Sequence, residues 1–174
     1  MGLLPNGNSR MVTPQSKHVV EAGGRTSWRD LQVLPDPYGF EPIPTVHPIV
    51  HSTSYAFTIF PNVITPVAAA GFPWLLFFPD GPDRTNIRIY HYSSPQNADM
   101  REAWGRRIAG FGAIIDEDVA NLNPIGRAMR SPLYHGVPIS YQERRIWHMN
   151  ESIDRTIGVE RIPDDLRVAQ LLAD

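Results

Sequence analysis

The sequence predicts an α+β fold in a single domain, with antiparallel strands first and helices last, and three observations carry the prediction. Twelve of the seventeen prolines fall between Pro5 and Pro82, where they break helices and withhold sheet donors. From Gln96 onward only Pro124, Pro132, Pro138 and Pro163 remain, each at a plausible helix boundary. A length of 174 residues, against a typical domain of about 150, leaves room for one domain. The expected division is extended or irregular chain over 1–53, strands over 54–94 and mainly helix over 95–174.

Turn signals at Asn6-Gly7, Gly23-Gly24 and Asp36-Pro37 punctuate the first 45 residues, with short apolar stretches at Val19-Val20 and Leu31 to Leu34 between them. Four strands follow at Ser54 to Pro61, Asn62 to Ala69, Phe72 to Phe78 and Thr85 to Tyr92, all rich in aromatic and β-branched residues. The turn Pro79-Asp80-Gly81-Pro82-Asp83 makes the last two a hairpin. Within Thr85 to Tyr92, Ile87, Ile89 and His91 alternate with Asn86, Arg88 and Tyr90, which predicts a sheet with one face turned inward. Phe57, Phe60, Trp74, Phe77 and Phe78 are read as sheet core.

A helix from Asn97 to about Asn121 is predicted by the stripe Met100, Trp104, Ile108, Phe111, Ile115 and Leu122. Gly105, Gly110 and Gly112 weaken it, so a break or close packing is expected near Gly110. Ser140-Tyr141-Gln142-Glu143 is a capping box for a second helix with Ile146, Met149, Ile153 and Ile157 on one face and Gly158 as its stop. Pro163 followed by Asp164 and Asp165 predicts a short last helix through Leu166, Ala169 and Leu172.

Composition excludes several functions. Hydrophobic residues at 42%, charged residues at 20% and a mean hydropathy of -0.25 describe a folded chain without a membrane span. A net charge of -2 without a basic stripe argues against nucleic acid. With no cysteine there is no disulfide, thiolate zinc site, iron–sulfur ligation or thiol nucleophile. G-x-S-x-G, G-x-x-x-x-G-K and H-E-x-x-H are all missing. Pro5, Asn6, Gly7 and Asn8 stand where a secretory signal would carry its apolar run, so the expected location is cytoplasmic.

Asp116-Glu117-Asp118 stands out among candidate sites. It ends an apolar helix, one turn from Ile114 and Ile115 and two from Phe111, so a carboxylate could bind a hard metal or act as a base beside a wall for an apolar ligand. The other reading is a solvated acidic face, although the negative end of a helix disfavours one there. His47 and His51 have ligand-like spacing, but Pro48 lies between them; His18, His91 and His135 read as strand or loop histidines, and His148 as packed or surface. Arg144 and Arg145 with Glu143 and Glu151 read as a solvated helix face, with an oligomer contact as the alternative.

The segment from Asp116 to Gly158, DEDVANLNPIGRAMRSPLYHGVPISYQERRIWHMNESIDRTIG, resembles the end of the catalytic domain of Rieske-type aromatic-ring-hydroxylating oxygenase large (alpha) subunits. FPNV at Phe60 to Val63, PDGPDRT at Pro79 to Thr85 and Gly7-Asn8-Ser9-Arg10-Met11 are similar to that family in the same order. The resemblance implies a partial helix-grip (START-like) catalytic domain and an O2-dependent hydroxylation of an aromatic or other apolar substrate. It implies a mononuclear ferrous iron held by two histidines and a carboxylate, matched here by Asp118, with Ile108, Phe111, Ile114 and Ile115 as the substrate wall. It also implies a Rieske 2Fe-2S cluster on a separate domain, ferredoxin and reductase as electron donors, and a trimer.

The family's D-x-x-H-x-x-x-x-H motif has no counterpart in the sequence, and its Gln-x-Gly-Leu reads Gly126-Arg127-Ala128-Met129. The expectation is therefore a truncated catalytic domain, inactive as an isolated chain, with Asp118 its one retained iron ligand. The alternatives are a metal-free apolar-ligand-binding helix-grip module and a nonfunctional remnant.

Overall fold

The computed structural model describes residues 2–14, 36–51 and 53–172. Among the described residues six strands form one antiparallel meander in chain order: β1 (Gly2–Leu3), β2 (Ser9–Pro14), β3 (Thr53–Ile59), β4 (Val63–Val67), β5 (Phe72–Pro79) and β6 (Thr85–Tyr92). Helices α1 (Arg101–Ala120), α2 (Leu122–Met129) and α3 (Arg144–Ile157) follow. Strands then helices is the predicted α+β, helix-grip-like order, and the β5–β6 hairpin turns at 80–84 as its Pro, Gly and Asp content dictates. The extended first fourteen residues supply β1 and β2, which composition alone did not single out as strands. Val19, Val20, Gly23, Gly24 and Leu31 to Leu34 lie outside the described residues, as does His18.

Register sorts the side chains. Pro73 pairs with His91, Leu75 with Ile89 and Phe77 with Ile87, so these residues share the inner face, as the alternation predicts. Trp74, Leu76 and Phe78 take the outer face. Phe72, Trp74 and Tyr92 cluster there with ring centroids 5.3 to 6.5 Å apart. The prediction that Trp74 and Phe78 are core is thereby corrected: both are exposed, because a period of two turns one residue of each neighbouring pair away from the helices.

The core sits where the chain enters α1. Phe40, Ala70 and Ala103 are buried, with Tyr38, Met100 and Trp104 packed against them. Phe40 and Trp104 meet at 4.9 Å between ring centroids. Asn97, fully buried, fastens the 36–43 loop to this corner: its amide Nδ2 donates to Glu41 O at 2.9 Å and its Oδ1 accepts the Glu41 N–H at 2.9 Å. Both faces of a buried amide are thus satisfied. α1 runs unbroken through Gly110, where the Tyr38 hydroxyl lies 2.6 Å from the place a Cβ would occupy. The expected close packing at Gly110 is present and the expected break is not.

Gly71 joins β4 to β5 with φ at +145°, and a Cβ there would run into the Tyr92 carbonyl. Gly71→Ala is expected to cost about 2 kcal/mol, since neither backbone can yield without loosening the β5–β6 ladder. A thermal melt unchanged from the parent would refute this.

α3 differs from expectation in what it buries. The capping box forms as predicted, Ser140 N–H donating to Glu143 Oε2 at 2.9 Å, and Gly158 ends the helix at φ +100°. The apolar stripe is not the buried one: Ile146 and Ile157 are half exposed, whereas His148, Glu151, Ser152 and Asp154 are buried. The solvated-face reading of Arg145 and Glu151 is likewise corrected. Arg145 reaches the inner face of the sheet, donating to Ser9 Oγ at 3.2 Å and Thr58 Oγ1 at 2.9 Å. Glu151 is enclosed by the C-terminal segment.

The last helix predicted after Pro163 is also corrected, since residues 164–167 are turn and the chain beyond runs irregularly. Its backbone groups are bound to α3 instead. Val168 N–H donates to Asp154 Oδ2 at 2.8 Å, Leu172 N–H to Glu151 Oε1 at 2.9 Å, and Ala169 O accepts from Trp147 Nε1 at 3.0 Å. Side-chain acceptors replace the carbonyls that a helix would have supplied.

Candidate functional site

A cleft of about 280 Å³ opens between the inner face of the sheet and α1. Its apolar walls come from Pro66 and Pro73 on the strands and Phe111 and Ile114 on the helix. Tyr38, Ser54, His91 and Arg107 add polar groups. A second cavity of about 580 Å³ adjoins it, sharing Ser54, Val67 and Ala68, and is bordered by His51 and Asp36.

The walls of the cleft are held from behind. Asp36 Oδ1 accepts the Tyr38 N–H at 2.9 Å, which sets the turn predicted at Asp36-Pro37 and presents Tyr38 to the cleft. Asp36 Oδ2 accepts from Arg107 NH1 at 3.2 Å, with both side chains about nine-tenths buried. The guanidinium of Arg107 also stacks on Phe40 at 5.0 Å. Across the cleft, Phe111 meets the His91 ring edge-on, with centroids 5.6 Å apart and planes at 88°. Burial lowers the His91 pKa from its ordinary value of 6.5, and the Arg107 charge lowers it further. His91 is therefore a neutral imidazole at pH 7, with one ring nitrogen a donor and the other an acceptor.

The predicted wall residues divide. Phe111 and Ile114 line the cleft, whereas Ile108 and Ile115 do not, and Ile108 and Ile114 are each about half exposed. The reason is angular: Arg107, Phe111 and Ile114 share one face of α1, and Ile108 and Ile115 stand to its side. By helical spacing Asp118 lies one turn beyond Ile114 on the same side of α1, outside the lining of the cleft; Asp116, Glu117 and Asp118 are all exposed in the last turns of α1. His51 borders the second cavity, His47 holds the Ile49 N–H at 3.3 Å, His135 is exposed, and His148 is fully buried with Nε2 3.1 Å from Leu4 O.

Sequence reasoning missed His91 as a cleft residue. The alternation that turned it inward with Ile87 and Ile89 was the available signal. What it faces depends on where α1 crosses the sheet, and neither segment encodes that alone.

A two-histidine, one-carboxylate iron centre needs three donors in one place. Among the described residues no group of three or more His, Cys, Asp or Glu side chains could hold a metal ion. The described residues by themselves do not fit the iron that the resemblance implies. Among the described residues, too, no helix is long and apolar enough to cross a membrane.

Comparison with known proteins bears on identity. No curated protein matches the chain, and no solved structure matches it. The family model of the ring hydroxylating alpha subunit (catalytic domain) matches residues 9–158, from β2 to the glycine that ends α3. A match across most of the chain, on an antiparallel sheet followed by helices, places the chain in the ring-hydroxylating alpha-subunit family, within its catalytic domain.

Proposed function

We propose that this chain is the distal part of an oxygenase catalytic domain, holding an aromatic or other apolar substrate against α1 and offering Asp118 as its one carboxylate for iron. The observation that supports this most is the common face of α1 on which Arg107, Phe111 and Ile114 line the cleft and Asp118 follows one turn later. Phe111, Ile114 and Pro73 bury the apolar body of a ligand, and the sheet behind them excludes water from that side. Ferredoxin and reductase partners, O2, a Rieske cluster and oligomers belong to the family's full-length proteins. Two imidazoles for the iron would come from outside the described residues, and the isolated chain is expected to turn nothing over.

Toluene titrated into the chain by calorimetry tests the cleft. Phe111→Asp places a charge on its wall and is expected to weaken toluene by at least about tenfold, a change of about 1.4 kcal/mol. Asp118→Ala is expected to leave toluene binding unchanged. Equal affinity in Phe111→Asp and the parent would refute the reading.

The second reading, a metal-free module that binds apolar ligands, is favoured by the lack of a three-donor group among the described residues. Anaerobic titration with Fe(II) separates the two. With imidazole supplied in excess for the two ligands that lie outside the described residues, iron uptake that Asp118→Ala abolishes supports the first, and toluene binding without iron uptake supports the second.

A further inference from the structure

We infer that the cleft between the sheet and α1 selects aromatic ligands carrying a neutral hydroxyl, a phenol class, with His91 as the residue that reads the hydroxyl. The inference rests on the proposed reading of the cleft as a substrate site and adds the chemical class that it takes.

Tyr38, Ser54 and His91 all line the cleft, and none of their side-chain polar atoms makes a hydrogen bond with the described residues. None of them is sealed from solvent, Tyr38 and His91 being half-buried and Ser54 exposed, so water can satisfy them while the cleft is open. A bare hydrocarbon would displace that water and leave the polar atoms unpaired, which costs about 1–3 kcal/mol for each group fully desolvated. The ligand therefore has to bring hydrogen-bonding capacity of its own.

Charge decides which kind. Among the described residues Arg107 is the cation of the cleft, and Asp36 already neutralises it at 3.2 Å. A carboxylate ligand would meet no unspent positive charge and would be desolvated beside an existing carboxylate. His91 supplies none either, being neutral at pH 7. A neutral imidazole presents one bare nitrogen, an acceptor. A phenolic O–H donates to that nitrogen, and its oxygen accepts from the Tyr38 or Ser54 hydroxyl. Phe111, edge-on to the imidazole, fixes the ring from one side, and with Ile114 and Pro73 takes the aromatic body.

Phenol, toluene and benzoate, three probes of one size, test this by calorimetry at pH 7.5. In a purely apolar pocket toluene would win, because phenol leaves water less readily. The expected result is phenol at least about tenfold tighter than toluene, with benzoate weakest. His91→Leu is expected to bring phenol down to the level of toluene while toluene changes by less than about threefold, and His91→Gln, which keeps an acceptor, to retain a preference for phenol. Tyr38→Phe, with the ring and the loop kept, is a second variant should His91→Leu fold poorly, and a partial loss confined to phenol is expected. Toluene binding as well as phenol, or benzoate binding best, overturns the phenol inference and leaves the apolar cleft standing. If none of the three binds, the cleft reading itself fails and the inference with it.

Discussion

Asp36→Ala is expected to destabilise the chain by about 3–5 kcal/mol, the range for orphaning one partner of a buried ion pair. Asp36 is bonded on both oxygens. Oδ1 accepts the Tyr38 N–H at 2.9 Å and that of Phe40 at 3.4 Å, and Oδ2 accepts from Arg107 at 3.2 Å. Truncation leaves the Arg107 guanidinium, only 12% exposed, without an anion above the Phe40 ring. Phe40 is central to the small core that carries the loop and the start of α1. In a domain of this size about 2–4 °C of melting temperature corresponds to each kcal/mol, so a fall of roughly 6–20 °C is expected.

Asp36→Asn keeps an acceptor for the turn and loses only the charge, and a smaller fall is expected. A double-mutant cycle with Arg107→Met isolates the pair: because Arg107→Met removes the stranded cation, the double variant is expected to be more stable than Asp36→Ala alone. The His91 resonance gives a second readout, since its pKa should rise in Arg107→Met and fall further in Asp36→Ala. A melt of Asp36→Ala within about 0.5 kcal/mol of the parent would refute the assignment.

This pair marks the boundary of what the sequence made legible. The turn at Asp36-Pro37 was readable because its chemistry is local, the side chain bonding its own backbone two residues on. Its bond to Arg107 spans 71 positions and depends on tertiary placement. The same division runs through the cleft. Alternation in β6 showed that His91 points inward, and helical spacing placed Phe111, Ile114 and Asp118 near one another; their meeting needed the angle at which α1 crosses the sheet.

Ile108 entered the expected wall through the family resemblance, which takes in the helix before Asp118 as a whole, whereas the cleft-facing side of α1 includes Arg107 and Gly110. Gly110 there admits the Tyr38 hydroxyl, a role that propensity registers only as a weakness. In α3 the rule that polar residues face water failed outright. Its buried side is polar because another part of the chain supplies matching donors, and no pattern within the helix announces them.

Those donors carry the second large prediction, that Glu151 clamps the C-terminal segment in a pH-dependent way. Burial pushes the Glu151 carboxyl up, but hydrogen bonds from the Leu171 and Leu172 N–H groups, Arg155 and Trp147 outweigh it and hold its pKa below the ordinary 4.5. A carboxylate with a depressed folded pKa contributes stability that is fully present above its unfolded value and is lost as pH falls through the folded one. Segment 168–172 is therefore expected to be docked at neutral pH and to detach in acid below about pH 4.5. Glu151→Leu should detach it at every pH, because Leu offers no acceptor to Leu171, Leu172 or Arg155. Amide exchange of Leu171 and Leu172 should then quicken by about a hundredfold, equivalent to about 2.7 kcal/mol of local stability.

Glu151→Gln keeps one acceptor oxygen and turns an amide toward Arg155, so a milder loss with a flattened acid response is expected. Asp154→Asn tests the other end of the clamp: Val168 N–H donates to Asp154 Oδ2, and its protection should fall while that of Leu172 is largely kept. Protection of the Leu171 and Leu172 amides, relative to their intrinsic exchange, that is insensitive both to pH between 7 and about 2.5 and to Glu151→Leu would show that the segment is held by something other than this carboxylate.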